Sequence, residues 1–155
     1  MTFKDLQDDL IEEVGVILKD MVTTKADGTQ AAGFTGYAYD LPVTMAGEDE
    51  EALFPFYIVK VLSGETKEDA DWWHVGVDII IGIHDDAPSL GHEHVMIAIQ
   101  RVANRFVYDP GLAKKYRAEQ DVKWFISDES PYPWHFGSVA ITFSVGKIGR
   151  KEYYV

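Results

Sequence analysis

A chain of 155 residues with 46% hydrophobic and 26% charged side chains holds enough apolar material for one packed core, which excludes both a disordered chain and a mini-protein that needs staples. The absence of cysteine excludes a thiolate nucleophile, an iron–sulfur cluster and a cysteine zinc site. The formal charge of −12 is uneven, with 15 acids and 5 bases in residues 1–70 against 11 acids and 9 bases in residues 71–155, and this balance argues against a sequence-reading DNA binder, which needs a basic stripe to neutralise phosphates.

Taken in chain order, Phe3, Leu6, Leu10, Val14, Ile17 and Met21 recur at spacings of three and four with Asp8, Asp9, Glu12 and Glu13 between them, which predicts an amphipathic helix ending near Val22. Thr2 is the expected N-cap, with Asp5 three residues on. Periodicity then lapses over residues 23–53, where glycines punctuate a polar stretch ending in Glu48, Asp49, Glu50 and Glu51. This segment reads as a long loop or protruding arm, with Tyr37 to Val43 the best place for a short strand.

Two strand pairs follow. Phe56 to Leu62 is rich in β-formers, and from Trp73 to His84 apolar and polar residues alternate, predicting a long hairpin with one buried face. Trp72 and Trp73 are adjacent on that strand and must point to opposite faces, so one of them leaves the principal core. Val95, Ala98, Ile99, Val102 and Phe106 predict a second helix over about 90–107, stopped by Asp109-Pro110-Gly111, with a short turn over 112–117. The second strand pair is 122–126 and 134–145, in which the large residues change phase around Gly137, a pattern that a bulge there explains. The order α, loop, β, β, α, β, β predicts an α+β fold with an antiparallel sheet of about four strands covered on one face by helices. Residues 1–145 read as a single domain and 146–155 as a C-terminal extension.

The densest polar cluster is His84, Asp85 and Asp86 followed by His92, Glu93 and His94, ligand types that suit zinc, iron or manganese. Its spacing matches no metal signature, and His-x-His on a helix points two rings about 200° apart; a polar turn and helix cap account for the same residues. Neither a Gly-x-Ser-x-Gly elbow nor a phosphate-cradling glycine loop occurs. The acids at 48–51 read as a solvated, self-repelling run. The aromatic turn around Tyr132 and Trp134 reads either as core packing or as a rim that grips another subunit, since Trp and Tyr are favoured anchors. No apolar run approaches the roughly 18 residues a membrane span needs, and the N-terminus has no signal-peptide pattern, so the expectation is a soluble protein made in the cytoplasm.

Several ordered pieces carry a resemblance: Phe54-Pro55-Phe56 opening the first long strand, Ile79-Ile80-Ile81-Gly82-Ile83-His84-Asp85-Asp86 closing the second, the helix from Ile97 to Phe106, and Trp124-Phe125-Ile126 leading to Pro131-Tyr132-Pro133-Trp134-His135-Phe136-Gly137. Together, over residues 54–145, they resemble the tail terminator proteins of long-tailed bacteriophages and prophages. The resemblance implies helices packed on an antiparallel sheet and a structural, non-enzymatic virion protein. In that reading the chain forms a ring, usually hexameric, that caps the tail tube and presents a surface to the head connector or neck protein. It implies no cofactor, no metal and no membrane, assembly in the host cytoplasm, and passage of DNA through the ring without specific binding. Trp72, Trp73, Tyr132 and Trp134 are then the expected subunit or tube contacts, and Glu48, Asp49, Glu50 and Glu51 the expected acidic lining. The enzymatic alternative is a small metal-dependent hydrolase or nuclease using His84, Asp86, His92 and His94, and a third reading is an immunity or adaptor module without a ring.

Overall fold

Thr2 starts the first helix by closing a capping box: its Oγ1 accepts from the Asp5 backbone N–H at 3.0 Å while its own N–H donates to Asp5 Oδ2 at 2.9 Å. From there α1 (Phe3–Leu18) places Leu6, Leu10, Val14 and Leu18 in one fully buried stripe. The helix ends four residues before Val22 because the chain turns at Lys19 and Asp20 and leaves as a strand, with Met21 still buried. The computed structural model describes residues 2–24, 28–42, 50–85, 90–129 and 132–151.

Among its described residues, the stretch expected to be a loop contains three strands and a 3-10 turn. β1 (Val22–Thr24) and β2 (Gln30–Ala32) form a small antiparallel hairpin, and β3 (Thr35–Ala38) joins the main sheet by running parallel to β4 (Phe56–Glu65). The expected strand at 37–43 therefore lies earlier, and Val43 is outside the described residues. These pieces are too short for periodicity to mark, and each depends on a partner distant in sequence.

The sheet is accordingly larger than four strands and is mixed, not purely antiparallel. β4 pairs with β5 (Trp72–His84), β5 with β9 (Trp134–Gly146), and the far edge of β9 takes both β7 (Tyr116–Ala118) and β8 (Lys123–Ile126), with β6 (Gly111–Leu112) outside β7. Seven strands thus curl into a half-barrel in an α+β fold. α2 (Leu90–Tyr108) packs with α1 on one face of it, and Val75, Val77, Ile79 and Ile81 meet Val95, Ala98, Val102 and Phe106 in the main core.

The segment expected as a turn over 112–117 is a tight hairpin. Lys115 N–H donates to Leu112 O at 3.0 Å across Ala113 and Lys114, both left-handed at φ 52° and 58°, which is a type I′ geometry. Ala-Lys gives no sign of it in the sequence, because that turn favours Asn-Gly. Lys114→Gly is expected to raise stability by about 0.5–1 kcal/mol by relieving the left-handed strain, an increase that chemical denaturation would read.

No bulge occurs at Gly137. The β5–β9 register is unbroken from Trp72 opposite Gly146 to His84 opposite Trp134, and the irregularity lies instead in β4 between Val61 and Ser63. The change of phase has another cause. Residues 137, 139, 141, 143 and 145 all face the helices, whereas Trp134 and Phe136 join a second apolar cluster with Phe54, Phe56 and Ile58. One strand thus contributes to two cores on opposite faces.

Candidate interaction surface

Both helices lie on one side of the sheet, so the other side is covered only where the Phe54 cluster closes it. Beyond that cluster, in which Ile80 packs, β5 presents Asp78, Gly76, His74 and Trp72, and β9 presents Ala140, Thr142 and Ser144, all at least partly exposed. A groove of about 950 Å³ wraps round the β7 edge, bordered by Trp72, His74, Arg117 and Ser144 on this face and by Phe106 and Val107 at the end of α2 on the other. His74 Nδ1 lies 2.5 Å from Glu119 Oε1, and this pair ties β5 to the chain just after β7. Lys114 and Arg117 stand on the groove's rim with Lys115, whose Nζ lies 3.5 Å from Asp9 Oδ2 of α1.

The aromatic residues singled out by sequence separate into different environments. Trp72 is 46% exposed at the open end of β5, while Trp73 turns to the helix side and meets Phe3 edge-on with centroids 5.8 Å apart. Tyr132 is 58% exposed. Trp134 is half-buried against the Phe54 cluster and packs edge-on to His84 at 5.8 Å. The structure therefore does not bring the four together: Trp72 sits at one end of the long hairpin, and Tyr132 and Trp134 at the other. Of the acidic run, Glu48 and Asp49 lie outside the described residues; Glu50 and Glu51 open the 3-10 turn Glu50–Leu53.

The proposed metal set is dispersed as well. His84 is buried at the end of β5 opposite Trp134, His92 is exposed on α2, and His94 Nδ1 stands 3.6 Å from Asp85 Oδ2. Asp86 lies outside the described residues. Among the described residues, no three His, Asp or Glu side chains converge on a point that would hold an ion.

Sequence reasoning passed over Trp124 and Phe125, which are 58% and 63% exposed on β8. The signal was the same as for Trp72 and Trp73, two adjacent aromatics on a short strand that must face opposite ways. The expected strand pair 122–126 with 134–145 gives no sign of whether its outer edge is open. In the fold β8 pairs only with β9 among the described residues, so its other edge is open. Comparison with protein-family models and with curated proteins finds no match to this chain.

Proposed function

We propose that this chain is a structural protein of the tail-terminator type, a ring, hexameric by the resemblance, that caps a phage tail tube and meets the head connector on its other surface. The observation that carries the reading is the distribution of exposed apolar side chains: Trp72, Trp124, Phe125 and Tyr132 stand in solvent around the rim of a sheet whose helices all lie on one face. Large aromatics, here three on strands and Tyr132 in the turn before β9, are suited to protein contacts, because they bury much area with little loss of side-chain freedom. The α+β architecture agrees with the one the resemblance implies.

The charge supports the same reading. A ring that DNA traverses benefits from a surface that repels phosphate, since each retained contact would slow passage. In this proposal the acidic N-terminal half, with Glu48 to Glu51 as its densest run, lines the opening; the virion tail is the site of action, and no catalytic step is assigned to the chain. Size-exclusion chromatography with light scattering tests it, alone and with the tail tube protein. The expected result is a species of six 17.5 kDa subunits that stops tube elongation. A chain that stays monomeric at high concentration and leaves tube polymerisation unchanged would overturn the proposal.

A further inference from the structure

Trp124 faces the helix side of the sheet, because it stands opposite the buried Val139, and Phe125 faces the open side opposite Ser138. A flat partner surface can cover one of these exposed rings but not both. An added strand can, because it runs along the edge and places side chains on both faces. The backbone is arranged for it. Ser127 N–H donates to Phe136 O at 3.0 Å, and antiparallel alternation then turns the N–H and C=O groups of Trp124 and Ile126 outward, away from β9.

We propose that β8 of one free chain pairs antiparallel with β8 of a second copy, about a two-fold axis at Phe125. The strand is complementary to itself in that register. Trp124 stands opposite Ile126 of the second copy on the helix side and Phe125 opposite its own counterpart on the open side, while the outward N–H and C=O groups of Trp124 and Ile126 bond each other. At each end Lys123 lies diagonal to Glu129 of the second copy, a cation within reach of an anion. The neighbouring registers set Trp124 opposite Asp128 or Phe125 opposite Lys123, so the apolar match is fullest in this one. The strands at the two ends of the sheet, β3 and β6, carry no exposed large apolar side chain and offer no such match.

The surface continues onto α2. Arg105 reaches Glu13 of α1, and Met96, nine residues earlier, lies about 180° round the helix from it, on the β8 side, where it is 44% exposed. Its neighbours Val95 and Ile99 lie against Gly137, which pairs with Ile126 of β8. In the dimer the two Met96 side chains therefore flank the two Trp124 rings. At about 150–250 Å² for a whole aromatic side chain, the exposed parts of Trp124 and Phe125 come to about 250 Å² per copy. Met96 and the strand edge bring this to roughly 500 Å², below the about 800 Å² per partner of a standard interface, so the dimer is expected to depend on concentration.

The contact goes beyond the ring reading. It is isologous and closes at two copies, whereas a ring is built through a heterologous contact on another surface. Trp124 and Phe125 are then covered in the free chain and become available to virion partners as the dimer parts. Two full-length variants at the exposed position 125 test it by light scattering. Phe125→Asp and Phe125→Lys each set like charges opposite one another across the axis, so each alone should be monomeric where the wild type is dimeric, and an equal mixture should restore the dimer. The chain has no cysteine, so Phe125→Cys adds a second measurement. Partners at a non-hydrogen-bonded antiparallel position stand about 4.5 Å apart between Cα atoms, within disulfide reach. Mild oxidation should therefore give at least tenfold more linked dimer than Val16→Cys on the exposed side of α1. A wild type that stays monomeric at high concentration, or a mixture with no more dimer than either variant alone, would overturn the dimer. Rings with control-level cross-linking at Phe125→Cys would overturn it and leave the ring reading standing. A cross-linked dimer beside a tail tube that keeps elongating would support the dimer and overturn the ring reading.

Discussion

Replacing Phe143 with alanine is expected to cost about 3–5 kcal/mol, the range for deleting a fully buried phenylalanine. Phe143 is fully buried on β9, and its ring meets Phe106 of α2 edge to face with centroids 5.4 Å apart. The substitution removes both the transfer free energy of the ring and the aromatic contact that seats the helix, and it leaves a cavity that strands paired on both sides of β9 cannot collapse to fill. For a chain of this size the melting temperature should fall by roughly 6–20 °C, which calorimetry would show. A fall of only a degree or two would mean that α2 is not held through this contact.

The second large effect is expected from adding a side chain at Gly137. A Cβ there would come within 2.3 Å of Ile99 Cδ1 and 2.8 Å of Val95 Cγ1, with the Phe125 carbonyl oxygen at 3.2 Å. All three neighbours are constrained, two by the buried face of α2 and one by the β8–β9 pairing, so none can move away cheaply. Gly137→Val should therefore destabilise by about 3 kcal/mol, the upper range for overpacking, and should also displace β8. Gly64→Ala is the matched control, because its Cβ would meet nothing closer than His74 O at 3.7 Å, and it should change the denaturation midpoint little. If the two variants unfold at the same denaturant concentration, the close approach of α2 to β9 is wrong. The same experiment bears on function, since displacing β8 moves the strand edge on which Trp124 and Phe125 are presented.

Much of the fold follows from residue order alone. Leu6, Leu10, Val14 and Leu18 specify α1, and Thr2 with Asp5 specifies its start, because a capping box and a four-residue apolar spacing are local properties. β5 was legible for the same reason: from Trp73 to Ile81 residues alternate between a buried and an open face, which a helix cannot satisfy. Adjacent tryptophans at 72 and 73 required one to leave the core, and it is Trp72 that does.

Only the tertiary structure decided which short segments become strands and which apolar residues stay in solvent. β3, β6 and β7 have two to four residues each and exist because β4, β7 and β9 respectively offer them an edge, which no local pattern records. The phase change along β9 could mean a bulge or a second core; the unbroken pairing with β5 and the Phe54 cluster behind it select the second core. The exposure of Trp124 and Phe125 was likewise beyond the sequence, since burial on a strand depends on what lies alongside. β8 pairs with β9 on one edge, and among the described residues nothing pairs with the other, so two aromatics that a central strand would have buried are left at the rim.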